Sequence, residues 1–167
     1  MTGEIIQKSI RHESEERVFV LCWGNTKRQD DGLGPCLADR LRALDIPGVT
    51  VESAFHLQAR HAEQIGRADL VVFVDAAATG PSPFLAKPIG PLGCPESSTH
   101  ALEPGTVLAL TNELHGTCPR AILLGVRGYS FGGSGEKLSE RAERNLRAAG
   151  AWLAAALAPP TRNLVVS

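Results

Sequence analysis

Val18-Phe19-Val20-Leu21-Cys22-Trp23-Gly24-Asn25-Thr26-Lys27-Arg28-Gln29-Asp30-Asp31-Gly32-Leu33-Gly34 carries an apolar run into a polar, glycine-flanked turn. Leu33, Leu37, Leu41 and Leu44 then recur at helical spacing, so the stretch reads as first buried strand, loop and first helix. Asp30 and Asp31 fall where that helix begins, and the positive end of a helix dipole favours carboxylates there. A single aspartate in this place reads as a cap. Two of them between glycines, at the carboxyl end of a first strand, point to a site, because open α/β sheets bind ligands at that edge.

The same alternation of strand and helix continues outward. Strand one covers about residues 17–23. Helix one runs from about Pro35, a residue tolerated in a first turn, to near Asp45, where Pro47-Gly48 stops it. Residues 49–55 alternate and are rich in β-branched side chains, which predicts strand two. Residues 56–66 predict a short helix with Leu57 and Ile65 inward. His56 and His61 lie five apart, off the i, i+4 spacing of a metal pair, and are expected at the surface or facing a partner.

Leu70-Val71-Val72-Phe73-Val74 is apolar throughout, as in the centre of a parallel sheet buried on both faces, and it stops at Asp75. A carboxylate at the end of a buried strand is costly unless it is paired, hydrogen-bonded or bound to a cation. Asp75 is therefore the second candidate. Residues 84–89 fit an edge strand, which tolerates Pro88. The remainder of 81–98, which holds five prolines, is expected to be loop and ends in Ser97-Ser98-Thr99-His100. Glu103-Pro104 opens a helix with Val107, Leu110, Thr111 and Leu114 on one side and Gly116 at its end. A buried strand at 121–126 leads into Gly128–Gly135, expected to be flexible. That segment is no phosphate loop, because no Lys-Ser or Lys-Thr follows the required glycine. The last helix, 139–157, aligns Ala142, Leu146, Ala149, Leu153 and Leu157, and Pro159-Pro160 ends it. The expectation is one α/β domain over 1–167, a three-layer sandwich with about five strands in a twisted sheet and helices on both faces. Residues 1–16 are a loose lead-in and 158–167 a tail.

At 167 residues, 43% hydrophobic and 21% charged, the chain has the balance of a soluble globular domain. A formal charge of −1 gives no electrostatic case for nucleic acid or an anionic membrane. The first twenty residues are too charged for a secretory signal, and no apolar run approaches a membrane span. A cytoplasmic monomer is the expectation. Cys22, Cys36, Cys94 and Cys118 are scattered without zinc or redox spacing, so they are read as reduced, structural thiols.

If strands one and three are neighbours, Asp31 and Asp75 emerge side by side at the carboxyl edge of the sheet. His100 ends a long loop that starts at the same edge and could fold back over it. Two carboxylates and an imidazole suit a borderline divalent ion such as nickel, zinc or manganese and leave coordination positions open.

Trp23-Gly24-Asn25 followed by Asp30-Asp31-Gly32-Leu33-Gly34 resembles the signature of the nickel-iron hydrogenase maturation endopeptidases. The likeness continues through Val74-Asp75-Ala76, Ser98-Thr99-His100 before a helix, and Leu124-Gly125-Val126-Arg127-Gly128, in order over about residues 17–157. The resemblance implies a protease that trims a C-terminal extension from a hydrogenase large-subunit precursor after nickel insertion, whereupon the subunit closes over its metal centre. The family's metal-contacting positions fall on Asp31, Asp75 and His100. Three departures stand out. Asp31 replaces the glutamate that is frequent at the first acidic position. Cys22 stands where a glycine is usual. His56-Leu57-Gln58 lacks the glycine-threonine element of some members, which is more similar to the branch serving NAD-reducing or bidirectional hydrogenases.

No nucleophilic serine or cysteine can be assigned, for there is no Gly-x-Ser-x-Gly elbow and no base partner for Cys22 or Cys36. The expected mechanism has Asp31, Asp75 and His100 engaging nickel carried by the precursor, with no organic cofactor. The metal or an activated water would then support hydrolysis. Asp30 is expected to cap the helix or, with Asn25, to orient a ligand from behind. The alternatives are a non-catalytic nickel-reading chaperone for the same subunit and a hydrolase with its own metal. A nucleotide-binding module ranks below both, because phosphates would meet Asp30 and Asp31 at the anion site.

Overall fold

The computed structural model describes residues 16–92, 102–159, 164 and 166. The elements are β1 (Val18–Trp23), α1 (Leu33–Arg42), β2 (Val49–Ala54), α2 (His61–Ile65), β3 (Leu70–Ala77), β4 (Phe84–Ile89), α3 (Pro104–His115), β5 (Arg120–Arg127) and α4 (Glu140–Leu157). A single 3-10 turn, Gln29–Gly32, links β1 to α1. The five strands form one sheet in the order β2-β1-β3-β5-β4, parallel except for the antiparallel edge strand β4. The expected edge strand at 84–89 is therefore present, and β1 and β3 are indeed neighbours.

Alternation along the strands splits the core into two layers. Val18, Val20, Cys22, Val72, Val74, Leu124 and Val126 point to one face, where α1 and α4 cover them. Phe19, Leu21, Val71, Phe73 and Ala121 point to the other, under α2 and α3. The α4 stripe of Ala142, Leu146, Ala149, Leu153 and Leu157 is fully buried as its spacing predicts. Each such leucine contributes about 1.5–3 kcal/mol by leaving water. Leu164 and Val166, in what was read as a tail, pack against this same layer.

Several local expectations shift. β3 runs two residues past Asp75, because Ala76 and Ala77 continue the ladder against Val126 and Arg127. On α3 the buried side chains are Thr106, Val107, Leu108 and Thr111, while Leu114 is exposed. His61 is wholly buried rather than at the surface. Its Nδ1 accepts the Gln58 N–H at 2.9 Å, while its Nε2 lies 3.5 Å from Glu52 without a hydrogen bond. Burial, then the neighbouring Arg60 charge, holds this imidazole below its usual proton affinity. Among the described residues no disulfide forms: Cys22, Cys36 and Cys118 are free thiols. Cys22 tucks its side chain into the α1/α4 layer. No described helix is long and apolar enough to cross a membrane.

Candidate active site

The carboxyl ends of β1 and β3 bring Asp31 and Asp75 to one edge of the sheet. Cys22 pairs with Val74 across the two strands, so Asp75 stands level with the end of β1, and the 3-10 turn that carries Asp31 packs on β3. Asp31 is held by the backbone N–H of Asn25, which donates to its Oδ2 at 3.1 Å. Asn25 in turn accepts the Lys27 N–H on its own side chain at 2.9 Å, closing a tight local turn. Gly24 makes this path possible. Its φ is +144°, and a Cβ there would sit 2.0 Å from the Asp31 carbonyl oxygen.

Asp75 has little support. It is half-buried, and its recorded hydrogen bond comes from the adjacent Ala76 N–H at 2.8 Å. Burial pushes its carboxyl up to about 7; the Ala76 N–H pulls the other way, and the Asp31 charge adds to the rise. Two neighbouring carboxyls, one of them short of donors, offer oxygen ligands of the kind that hard and borderline divalent cations take. His100, the third expected ligand, lies outside the described residues, and among those residues no cluster of three or more metal-binding side chains occurs.

Asp30 does not fill the first of its two expected roles, the helix cap. Neither the 3-10 turn nor α1 has a side-chain cap. Instead Asp30 is fully buried and accepts from Tyr129 N at 2.7 Å, Ser130 N at 2.9 Å, Ser139 N at 2.7 Å and Ser139 Oγ at 2.7 Å. Burial alone would raise its pKa, but these four donors together hold the carboxyl below its ordinary value. Ser139 is the N-cap of α4, its Oγ also accepting the Ala142 N–H at 3.3 Å. The residues after β5 are thus bolted to the loop after β1. Gln29 N donates to Gly135 O at 2.7 Å and Gly135 N to Lys27 O at 2.9 Å, so the segment expected to be flexible is anchored. Gly128 permits this closeness, since a Cβ there would come within 2.9 Å of the Asp30 Cβ.

Tyr129, Ser130 and Ser139 escaped the sequence reading. Ser139 before a helical stripe carried a capping signal, but nothing local linked it to Asp30, 109 residues away. A cleft of about 490 Å³ opens between the loop after β1 and the end of β2, with Asn25, Lys27, Ser53 and the exposed Phe55 among its walls; neither Asp31 nor Asp75 lines it.

No protein-family model matches the chain, and no curated protein does. Solved structures do match. The NiFe hydrogenase maturation protease HycI from Thermococcus kodakarensis is 27% identical, covering 87% of this chain and 94% of its own, with a TM-score of 0.66. The hydrogenase maturating endopeptidase HybD from Escherichia coli is 19% identical, covering 84% of this chain and 91% of its own, TM-score 0.64. The Escherichia coli endopeptidase HycI is 17% identical over 90% of this chain and 96% of its own, also at 0.64. The last two share the fold alone. In fold over most of its length, and in sequence at 27% identity to the Thermococcus protein, this chain is a structural relative of the nickel-iron hydrogenase maturation proteases.

Proposed function

We propose that the protein is an endopeptidase that removes the C-terminal extension of a nickel-iron hydrogenase large-subunit precursor after nickel insertion. The observation that carries this reading is the placement of Asp31 and Asp75 at the shared edge of β1 and β3, where Asp75 is pushed up to about 7 with one recorded donor. The substrate's own nickel would be engaged by these carboxylates and by His100. That contact would hold the scissile carbonyl in place. Water adds to the carbonyl carbon, the C–N bond breaks, and the departing amine takes up a proton. A carboxylate oxygen left unbound by the ion would take the proton from the water and return it to that amine. An empty precursor would lack the anchor and stay uncut, which makes cleavage a checkpoint on metal insertion.

The test is intact-mass measurement of a cognate precursor, nickel-loaded and nickel-free, after incubation with this protein. Loss of a C-terminal peptide from the loaded form alone is the expected result. Cleavage of both forms would retain the protease and remove the checkpoint. A loaded, cognate precursor that is bound but never cut would overturn the proposal in favour of an assembly chaperone.

A further inference from the structure

We propose that Arg127, Tyr129 and Arg141 form a subsite that grips an acidic side chain of the substrate polypeptide next to the two aspartates. This rests on the endopeptidase reading above and says where its substrate is held. Arg127 ends β5 opposite Ala77, two residues beyond the Asp75–Gly125 pair. Strand geometry therefore puts its Cα roughly 8 Å from that of Asp75.

The subsite is built on a fixed ring. The Arg127 guanidinium carbon lies 5.0 Å from the Tyr129 ring centroid, and that of Arg141 lies 3.8 Å from it. The phenol oxygen accepts from Asn145 Nδ2 at 3.1 Å, and Asn145 is buried. The same amide nitrogen donates to the Arg127 carbonyl at 2.8 Å, while Asn145 Oδ1 accepts the Ser82 hydroxyl at 3.0 Å. Arg127 Nη1 leans on the Ala77 carbonyl at 3.4 Å. Among the described residues, neither guanidinium has a carboxylate within salt-bridge distance, a condition shared by Arg28, Arg144 and Arg147 but not by Arg17, Arg40, Arg42, Arg60, Arg67 and Arg120.

Two like charges on one ring repel, and Arg141 adds to the positive end of α4 in its first turn. Of the acids in that turn, Glu143 is taken by Arg40, and Glu140 makes no recorded pair. An incoming carboxylate relieves the repulsion, and planar guanidinium groups bind it through paired N–H donors. An extended peptide covers about 3.3 Å per residue, so roughly 8 Å plus an arginine's own reach of roughly 6 Å puts the acid within about five residues of the scissile bond.

The experiment measures the affinity of the loaded precursor for the full chain at low and high salt, with cleavage followed in the same samples. Arg127→Ala and Arg141→Ala should each weaken binding about 10-fold and flatten its salt dependence. A precursor whose acids within five residues of the scissile bond are changed to amides should bind wild type and Arg141→Ala alike. Melting temperatures verify folding, and Arg141, exposed on α4, decides the matter if Arg127→Ala does not fold. Unchanged affinity and salt dependence in folded Arg141→Ala would overturn the subsite. Arginine-dependent binding without cleavage would keep the subsite and remove the endopeptidase; cleavage without arginine dependence would do the reverse.

Discussion

Asp30 and Asp75 sit in the same corner of the molecule and are opposites in chemistry. Asp30 is completely enclosed yet firmly ionised, because four donors converge on it from Tyr129, Ser130 and Ser139. Asp75 holds its proton to about 7 because burial raises it, one adjacent N–H offsets too little of that cost, and Asp31 presses on it. Depth of burial alone does not decide what a carboxylate does; the donors that answer it must be counted too. One aspartate spends its charge on joining two loops, and the other keeps a charge available to an incoming group.

The comparison can be broken from either side. The largest effect is expected at the reactive pair. Asp31→Ala and Asp75→Ala should lower precursor cleavage by about 10³-fold or more with the melting temperature nearly unchanged, read by mass spectrometry and calorimetry. Normal cleavage by both would sink their assignment. Asp30→Ala should do the converse. It leaves four buried donors unanswered and should cost about 3–5 kcal/mol of stability in denaturant titration. Asn145→Ala, which unseats Tyr129 and frees the Arg127 carbonyl, should cost about 1–3 kcal/mol by the same titration.

The contrast also shows through pH. Between the ordinary aspartate value near 4 and about 7, the folded chain keeps the Asp75 proton that the unfolded chain has released. Stability therefore falls as pH rises through that window and levels off above it. Asp75→Asn should match wild type at about pH 4 and melt about 10 °C higher at about pH 8. Asp30 has the opposite sign: its contribution is present above the ordinary aspartate value and is lost on acidification through its lowered one.

Periodicity made most of the fold legible. The unbroken run Leu70–Val74 announced a central strand, and the α4 stripe announced a buried helix face. The pairing of β1 with β3, which brings the two acids together, entered the sequence reading only as a condition, because placing strands along the chain does not fix which of them are neighbours. Periodicity could not place His61, because a buried histidine looks like a surface one until Gln58 and Glu52 close around it. Nor could it separate Asp30 from Asp31. Their difference is made by residues about a hundred positions away, and only tertiary structure brings those within reach.

The sheet's two outer rims also matter. On β2, Arg42 donates to the Val51 carbonyl and to Ser53, and Arg60 and Gln64 occupy Glu52. On β4, Pro88 has no N–H to offer and Lys87 brings a charge. Neither rim is a template on which another chain could zip by backbone pairing, so copies of the protein are discouraged from stacking into fibres. The peptide tail of the proposed substrate would meet the same obstacles along the flanks, which would direct it to the edge where the strands end.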